Sequence, residues 1–161
     1  MRIKGLIDED FVNYKKPSMF ISADRCDWKC CSEINLPIET CQNSLLAQSE
    51  TIYISTDEIF RRYINNSITE AVVVGGLEPI LQFDELIDLI DTFRKNNVED
   101  DFVIYTGYYE HEILREINQL KQKFCNIFLK TGRYIPNHQS HYDEVLGVML
   151  ASDNQKGVKI C

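Results

Sequence analysis

Six cysteines stand at positions 26, 30, 31, 41, 125 and 161, and four of them, Cys26, Cys30, Cys31 and Cys41, fall within sixteen residues. Clustered cysteines outside a secreted disulfide framework more often bind metal or do redox chemistry than form crosslinks. In CDWKC, three residues separate Cys26 from Cys30, which lets a loop wrap and turn both sulfurs toward one centre. Zinc sites favour CxxC pairs, and the chain has none. Thiolates are also the ligands of iron–sulfur clusters. A four-iron cluster held by three sulfurs keeps one iron open to an outside ligand. That arrangement can hold S-adenosylmethionine and cleave it reductively, one of the radical chemistries that cofactors supply. The third sulfur is Cys31 or Cys41. Adjacent residues of extended backbone point apart, so Cys30 and Cys31 need a bent loop to share a centre.

The cysteine loop, about 24–43, follows an apolar alternating segment, residues 18–23, read as a strand. A helix is expected at 56–65, where Ser55 and Glu58 fit a capping box. The β-branched run at 70–74 reads as a buried strand stopped by Gly75 and Gly76. Residues 82–97 carry Phe83, Leu86, Ile87, Ile90 and Phe93 at helical spacing, with acids early and bases late. Further strands are expected at 101–106, 125–130 and 145–150, with a helix at 109–122. Alternation of strand and helix implies a single α/β domain built of βα units around a mostly parallel sheet. Ligands in such sheets bind beyond the carboxyl ends of the strands. The cysteine loop, Gly75, Gly76, Thr106 and Thr131 all fall at that edge.

The 161 residues suffice for one domain with a core of its own. A formal net charge of −8 argues against binding a phosphate backbone, so no nucleic-acid partner is expected. No apolar run reaches the ~18 residues of a membrane span, and the N-terminus lacks a signal-peptide core. A cytoplasmic location is expected. Cys125 reads as a core residue and Cys161 as a frayed terminal thiol. His138 and His141, with Asp143 close by, read as a polar surface loop rather than a metal site.

Taken in order along the chain, the segments FVNYKKPSMFIS, CDWKC, CQN, VVVGGLEP, VIYTGY, KTGRY and SDNQ resemble those of a family. It is the family of small radical S-adenosylmethionine enzymes that activate anaerobic (class III) ribonucleotide reductase. The resemblance implies a truncated, partial radical-enzyme barrel, a 4Fe–4S cluster and S-adenosylmethionine. CDWKC resembles the first two cysteines of the family's cluster motif, and CQN its third. The chain departs in carrying Glu33 where that motif puts a cysteine. Aligning CQN makes Cys41 the third ligand after Cys26 and Cys30, across an insertion of about eight residues, with Cys31 as the alternative.

The resemblance further implies that Gly76, with Gly75, brings bare backbone to the methionine part of the cofactor, as glycine allows. Glu78 would accept from the cofactor's amino group, and Thr40 and Gln42 would touch the cofactor beside Cys41. Thr106, at a strand end, would bond its carboxylate or ribose. Trp28 and Tyr108 would pack beside the cluster or the adenine, or Trp28 would face a partner protein. The implied reaction forms a 5′-deoxyadenosyl radical that takes hydrogen from a glycine of a large anaerobic ribonucleotide reductase, with an external electron donor. Two other readings stand beside it. One is a radical enzyme on another substrate, of the deazapurine-forming type. The other is a non-catalytic metal-binding or interaction module on the same scaffold.

Overall fold

Val72 and Val74 project to one side of their strand and Ala71 and Val73 to the other, and all four are fully buried. A strand buried on both sides lies inside a covered sheet. The computed structural model, which describes residues 1–161, shows that sheet. The elements are β1 (Arg2–Asp10), β2 (Ser18–Ala23), α1 (Lys29–Ser32), α2 (Ser44–Gln48), β3 (Ile52–Tyr53), α3 (Thr56–Ile64), β4 (Ala71–Gly75) and α4 (Phe83–Lys95). They continue as β5 (Asp101–Tyr105), α5 (Leu114–Lys123), β6 (Ile127–Thr131), β7 (His141–Asp143), β8 (Val148–Leu150) and β9 (Lys156–Lys159). Seven strands form one sheet in the order β3-β1-β2-β4-β5-β6-β9.

Helices α3, α4 and α5 cover one face. Ile59 and Tyr63 of α3, Leu86, Leu89, Ile90 and Phe93 of α4, and Ile117 and Leu120 of α5 meet Val72, Val74, Phe102, Ile104, Ile127 and Leu129. Ser55 caps α3 by accepting the Glu58 amide at 3.1 Å. In α4, Asp84 and Glu85 begin the helix while Arg94 and Lys95 end it, the order that the helix dipole favours. The Phe93 ring sits about 5 Å from the rings of Phe60, Tyr63 and Phe102. Burying a side chain of this size contributes roughly 1.5–3 kcal/mol. The other face is smaller. Ala71, Val73, Val103 and Phe128 pack there against Tyr14, Leu146 and Leu150.

The expected alternation holds from β2 to β6, and β2, β4, β5 and β6 pair in parallel. The sheet as a whole is mixed, because β1, β3 and β9 add antiparallel pairings at its margins. The strand expected at 145–150 is not in this sheet. Residues 148–150 pair with β7 as a separate hairpin, and Gly147, at φ +71°, turns the chain into it. The last strand of the sheet is β9. The expected helix at 109–122 opens as a 3₁₀ turn, Glu110–Glu112, before α5 proper. No helix is long and apolar enough to cross a membrane.

Candidate metal centre

Parallel register sets the ends of four strands side by side. Ser22 pairs with Gly75, Val74 with Ile104, and Tyr105 with Lys130. The cysteine loop leaves β2 at this edge, where an α/β sheet binds ligands. It is tied down at its start: the Asp24 amide donates to Gln82 Oε1 at 2.8 Å, and the Asp24 carboxylate accepts Thr51 Oγ1 at 2.7 Å. The Glu78 amide donates to the Arg25 carbonyl at 2.8 Å, joining the loop to the segment after β4.

Trp28, at φ 60°, reverses the backbone between Cys26 and the four-residue helix α1. This is the bent loop that a Cys30–Cys31 neighbourhood requires. The two sulfurs lie 3.9 Å apart. The Trp28 amide donates to Cys26 Sγ at 3.4 Å. Cys26, Cys30 and Cys41 are half-buried, and Cys31 is buried. Burial pushes the Cys26 thiol up to about 11. The Cys30 and Cys41 thiols influence each other's protonation: Cys41 pulls Cys30 down, and Cys30 pushes Cys41 up. All six cysteines are free. Cys125 is exposed rather than in the core, because Asn126, at φ 56°, turns the chain before β6 begins at Ile127. Cys161 is not frayed. It is half-buried, and its Sγ–H donates to the Phe124 carbonyl at 2.9 Å.

A cavity of about 310 Å³ reaches one of these thiols: Cys41, Gln42 and Gly76 share its wall with Phe20, Tyr105 and Lys130. A smaller one, about 30 Å³, is lined by Cys26, Cys30 and Glu78. Gly76 sits at φ +72°, and a Cβ there would meet Leu46 Cδ2 at 2.9 Å. Thr40, Gly75 and Thr106 line neither cavity. Gly75 and Thr106 are buried in the strand ends, and a Cβ on Gly75 would strike Tyr105. Thr106 Oγ1 accepts the Tyr108 amide at 3.0 Å.

Glu78 is 4% exposed, so it is no surface acid. Its carboxylate accepts the Gly107 amide at 2.8 Å and the Ile80 amide at 3.1 Å. Burial pushes it up to about 7, against those bonds, which pull it down. Burial likewise pulls Lys130 down to about 8. Its ammonium donates to the Gly132 carbonyl at 3.1 Å.

One group of functional interest was not legible in the sequence. Arg133, 4% exposed, forks onto Glu33 at 2.9 and 2.8 Å and onto Glu112 at 2.6 and 2.8 Å. It also donates to the Gly107 carbonyl at 2.7 Å. Glu33 and Arg133 are 100 residues apart, so local pattern carries no sign of the pairing. Glu33 is thereby engaged by a guanidinium instead of facing the thiols alone.

No three His, Cys, Asp or Glu side chains close on a point as a single-ion site would. His138 pairs with Asp153 at 2.7 Å. The donor set beside α1 is sulfur, supplied by one loop from residues spread over sixteen positions. Thiolates of this kind are the donors of iron–sulfur clusters, and these residues fit such a group. A family model described as a 4Fe-4S single cluster domain matches residues 18–156, which includes the cysteine loop and β2 through β9 up to Lys156. No curated protein and no solved structure matches the chain. The thiol loop at the carboxyl edge and the match over most of the chain agree, and the protein belongs to the 4Fe-4S single cluster domain family.

Proposed function

We propose that this protein is a radical S-adenosylmethionine activase that generates a glycyl radical on a large anaerobic ribonucleotide reductase. Its α/β sheet is read as a truncated radical-enzyme barrel. Cys26, Cys30 and Cys41 would hold the 4Fe–4S cluster. The observation that carries the reading is the shared wall of the larger cavity, where Cys41, a proposed ligand, stands with Gly76 at the end of a parallel strand.

When bound, the cluster and S-adenosylmethionine together supply one-electron reductive cleavage of the latter. The chain's own residues do the rest. Gly76 lets backbone approach the methionine part without a side chain in the way. Glu78 fixes the Gly107 amide beside the smaller cavity, and its remaining acceptor capacity would serve the cofactor's amino group. Lys130 puts a cation on the wall. Phe20 and Tyr105 supply the apolar floor. The cavity is modest for a cofactor plus a separate small substrate. This supports a substrate brought by a partner protein as a loop, with electrons from an external donor.

The test is anaerobic reconstitution with iron and sulfide, then dithionite and S-adenosylmethionine, with 5′-deoxyadenosine quantified. Wild type and Cys31→Ala should form it, and Cys41→Ala should not. Loss in Cys31→Ala alone would keep the chemistry and replace the third ligand. A wild type with a full cluster that forms none, with or without a glycyl-radical protein, would sink the reading.

A further inference from the structure

Helix α1 has four residues, Lys29–Ser32, and carries Cys30 and Cys31. A single turn has no stability of its own, since nucleation is not repaid over so short a length. Something else must hold these cysteines in place. Both ends of the turn are tied to one cluster of charges. At its start, Lys29 Nζ reaches Glu112 Oε1 at 2.6 Å. Just past its end, Glu33 takes the Arg133 fork. Arg133 in turn holds Glu112 through two further bonds. The ring closes: α1, Glu112 ahead of α5, and Arg133 beyond β6 are joined by five charge-assisted contacts.

The Arg133–Glu112 part of the clasp is shielded, while Lys29 and Glu33 are part-exposed. Arg133 lies near the Tyr109 and Tyr108 rings, at 4.9 and 5.5 Å from their centres. Its side chain is 4% exposed, and that of Glu112 is 18% exposed. Bidentate guanidinium–carboxylate pairs fix orientation as well as distance, and removal of one partner from a buried pair leaves an uncompensated charge. Arg133 and Cys30 also line the same small cavity.

We infer that Arg133 is a positioning residue for the cluster: through Glu33 and Glu112 it holds α1 rigid and sets where the Cys30 sulfur stands. It touches no iron. It acts on how tightly the thiol set keeps a cluster and on the shape of the cluster's surroundings. This rests on membership of the 4Fe–4S family and not on the radical reading, so the two can fail separately.

The experiment uses the full chain, reconstituted anaerobically, and follows iron release to a ferrous chelator. The electron paramagnetic resonance of the reduced cluster gives a second readout. The variants are Arg133→Met, Arg133→Lys and Glu33→Gln, with Arg62→Met as control. Arg62 pairs with Asp8 at the opposite edge of the sheet. Outer partners of metal ligands typically cost ~10–100-fold in affinity when removed. Arg133→Met and Glu33→Gln should therefore release iron on that order faster, with altered resonance. Arg133→Lys, which keeps the charge and loses the fork, should fall between. Arg62→Met should match wild type in both readouts. If Arg133→Met does not fold, Glu33→Gln decides, because the Glu33 side chain is 44% exposed and tolerates the change. Wild-type release and an unchanged spectrum in Glu33→Gln would overturn the inference. So would equal acceleration in Arg62→Met, which would reduce the clasp to general stability. A wild type without 5′-deoxyadenosine formation would bear on the radical reading alone.

Discussion

Glu78 Oε2 accepts the Gly107 amide at 2.8 Å, so a carboxylate that follows β4 closes a backbone group that follows β5. The two strands run in parallel and end at the same edge. Their exits are therefore held together by a side chain rather than by the ladder. Glu78 Oε1 accepts the Ile80 amide as well. The acid is a local brace before it is anything else.

Glu78→Ala should destabilise the cluster-free protein by about 1–3 kcal/mol, the usual cost of leaving buried donors without partners. The loss should be larger at pH 5 than at pH 8. Burial raises Glu78 to about 7, so its charged form costs the fold something above its ordinary value of 4.5, and that cost is complete past pH 7. Below the ordinary value only the bonds remain. Urea unfolding of both proteins at the two pH values checks this, and a larger loss at pH 8 would contradict it.

Gly76→Ala should cost about 1–2 kcal/mol from the left-handed backbone alone. The new methyl would also meet Leu46 at 2.9 Å, pushing on α2, which follows Cys41 closely in sequence. Reconstituted Gly76→Ala should hold less iron than wild type. Adding Leu46→Ala relieves the contact but not the backbone strain, so the double variant should regain iron while staying less stable. Iron content and denaturation midpoints, measured side by side, separate the two effects. Equal iron in the single variant and wild type would refute the contact argument.

The clasp predicts an acid limb. Arg133 holds the Glu112 carboxyl well below its ordinary value of 4.5. A carboxylate lowered in the fold contributes stability that is full above that ordinary value. That stability drains away as pH falls toward the folded value. The thermal midpoint of wild type should therefore drop between pH 5 and pH 3 by more than that of Glu112→Gln, which has no such proton to take up. Parallel curves would refute this.

Lys130→Met should stabilise the cluster-free protein at pH 7. Burial pulls the ammonium down to about 8, so the fold carries the cost of a half-buried charge at every pH below that. The cost fades as pH rises from 8 toward the ordinary value of 10.5. A gain of about 2 kcal/mol at pH 7, shrinking from about pH 8 and gone only above about pH 10.5, follows from a shift of this size at ~1.4 kcal/mol per unit, discounted for residual exposure. Calorimetry across that range tests it. The same variant should bind S-adenosylmethionine more weakly if the cation serves the cavity wall.

The alternation from β2 to β6 was legible because EAVVV and DFVIY are apolar enough to be strands buried on both sides. Phe83 through Phe93 likewise mark a single helical face. β1 was not, since Lys4, Asp8, Glu9 and Asp10 break up its apolar pattern, and near the sheet margin it needs little apolar surface. β9, with Lys at both ends, reads as loop until β6 supplies its partner. Cys26, Cys30, Cys31 and Cys41 stand out by residue type alone. The burial of Glu78 does not, because it is created by a contact 29 residues away. Arg133 stands within KTGRY, and nothing near it in sequence announces Glu33 or Glu112.

Both margins of the parallel core are already sealed, β2 by antiparallel β1 and β6 by antiparallel β9. A further βα repeat has no free parallel edge on which to dock. Natural variation that enlarges this scaffold must then enter between existing strands, where it lengthens a connection without breaking a ladder. The stretch from Asp24 to Glu50, which lies between paired strands and holds four of the six thiols, is such a place. Diversity in this architecture is expected to accumulate as changed connections around a constant scaffold.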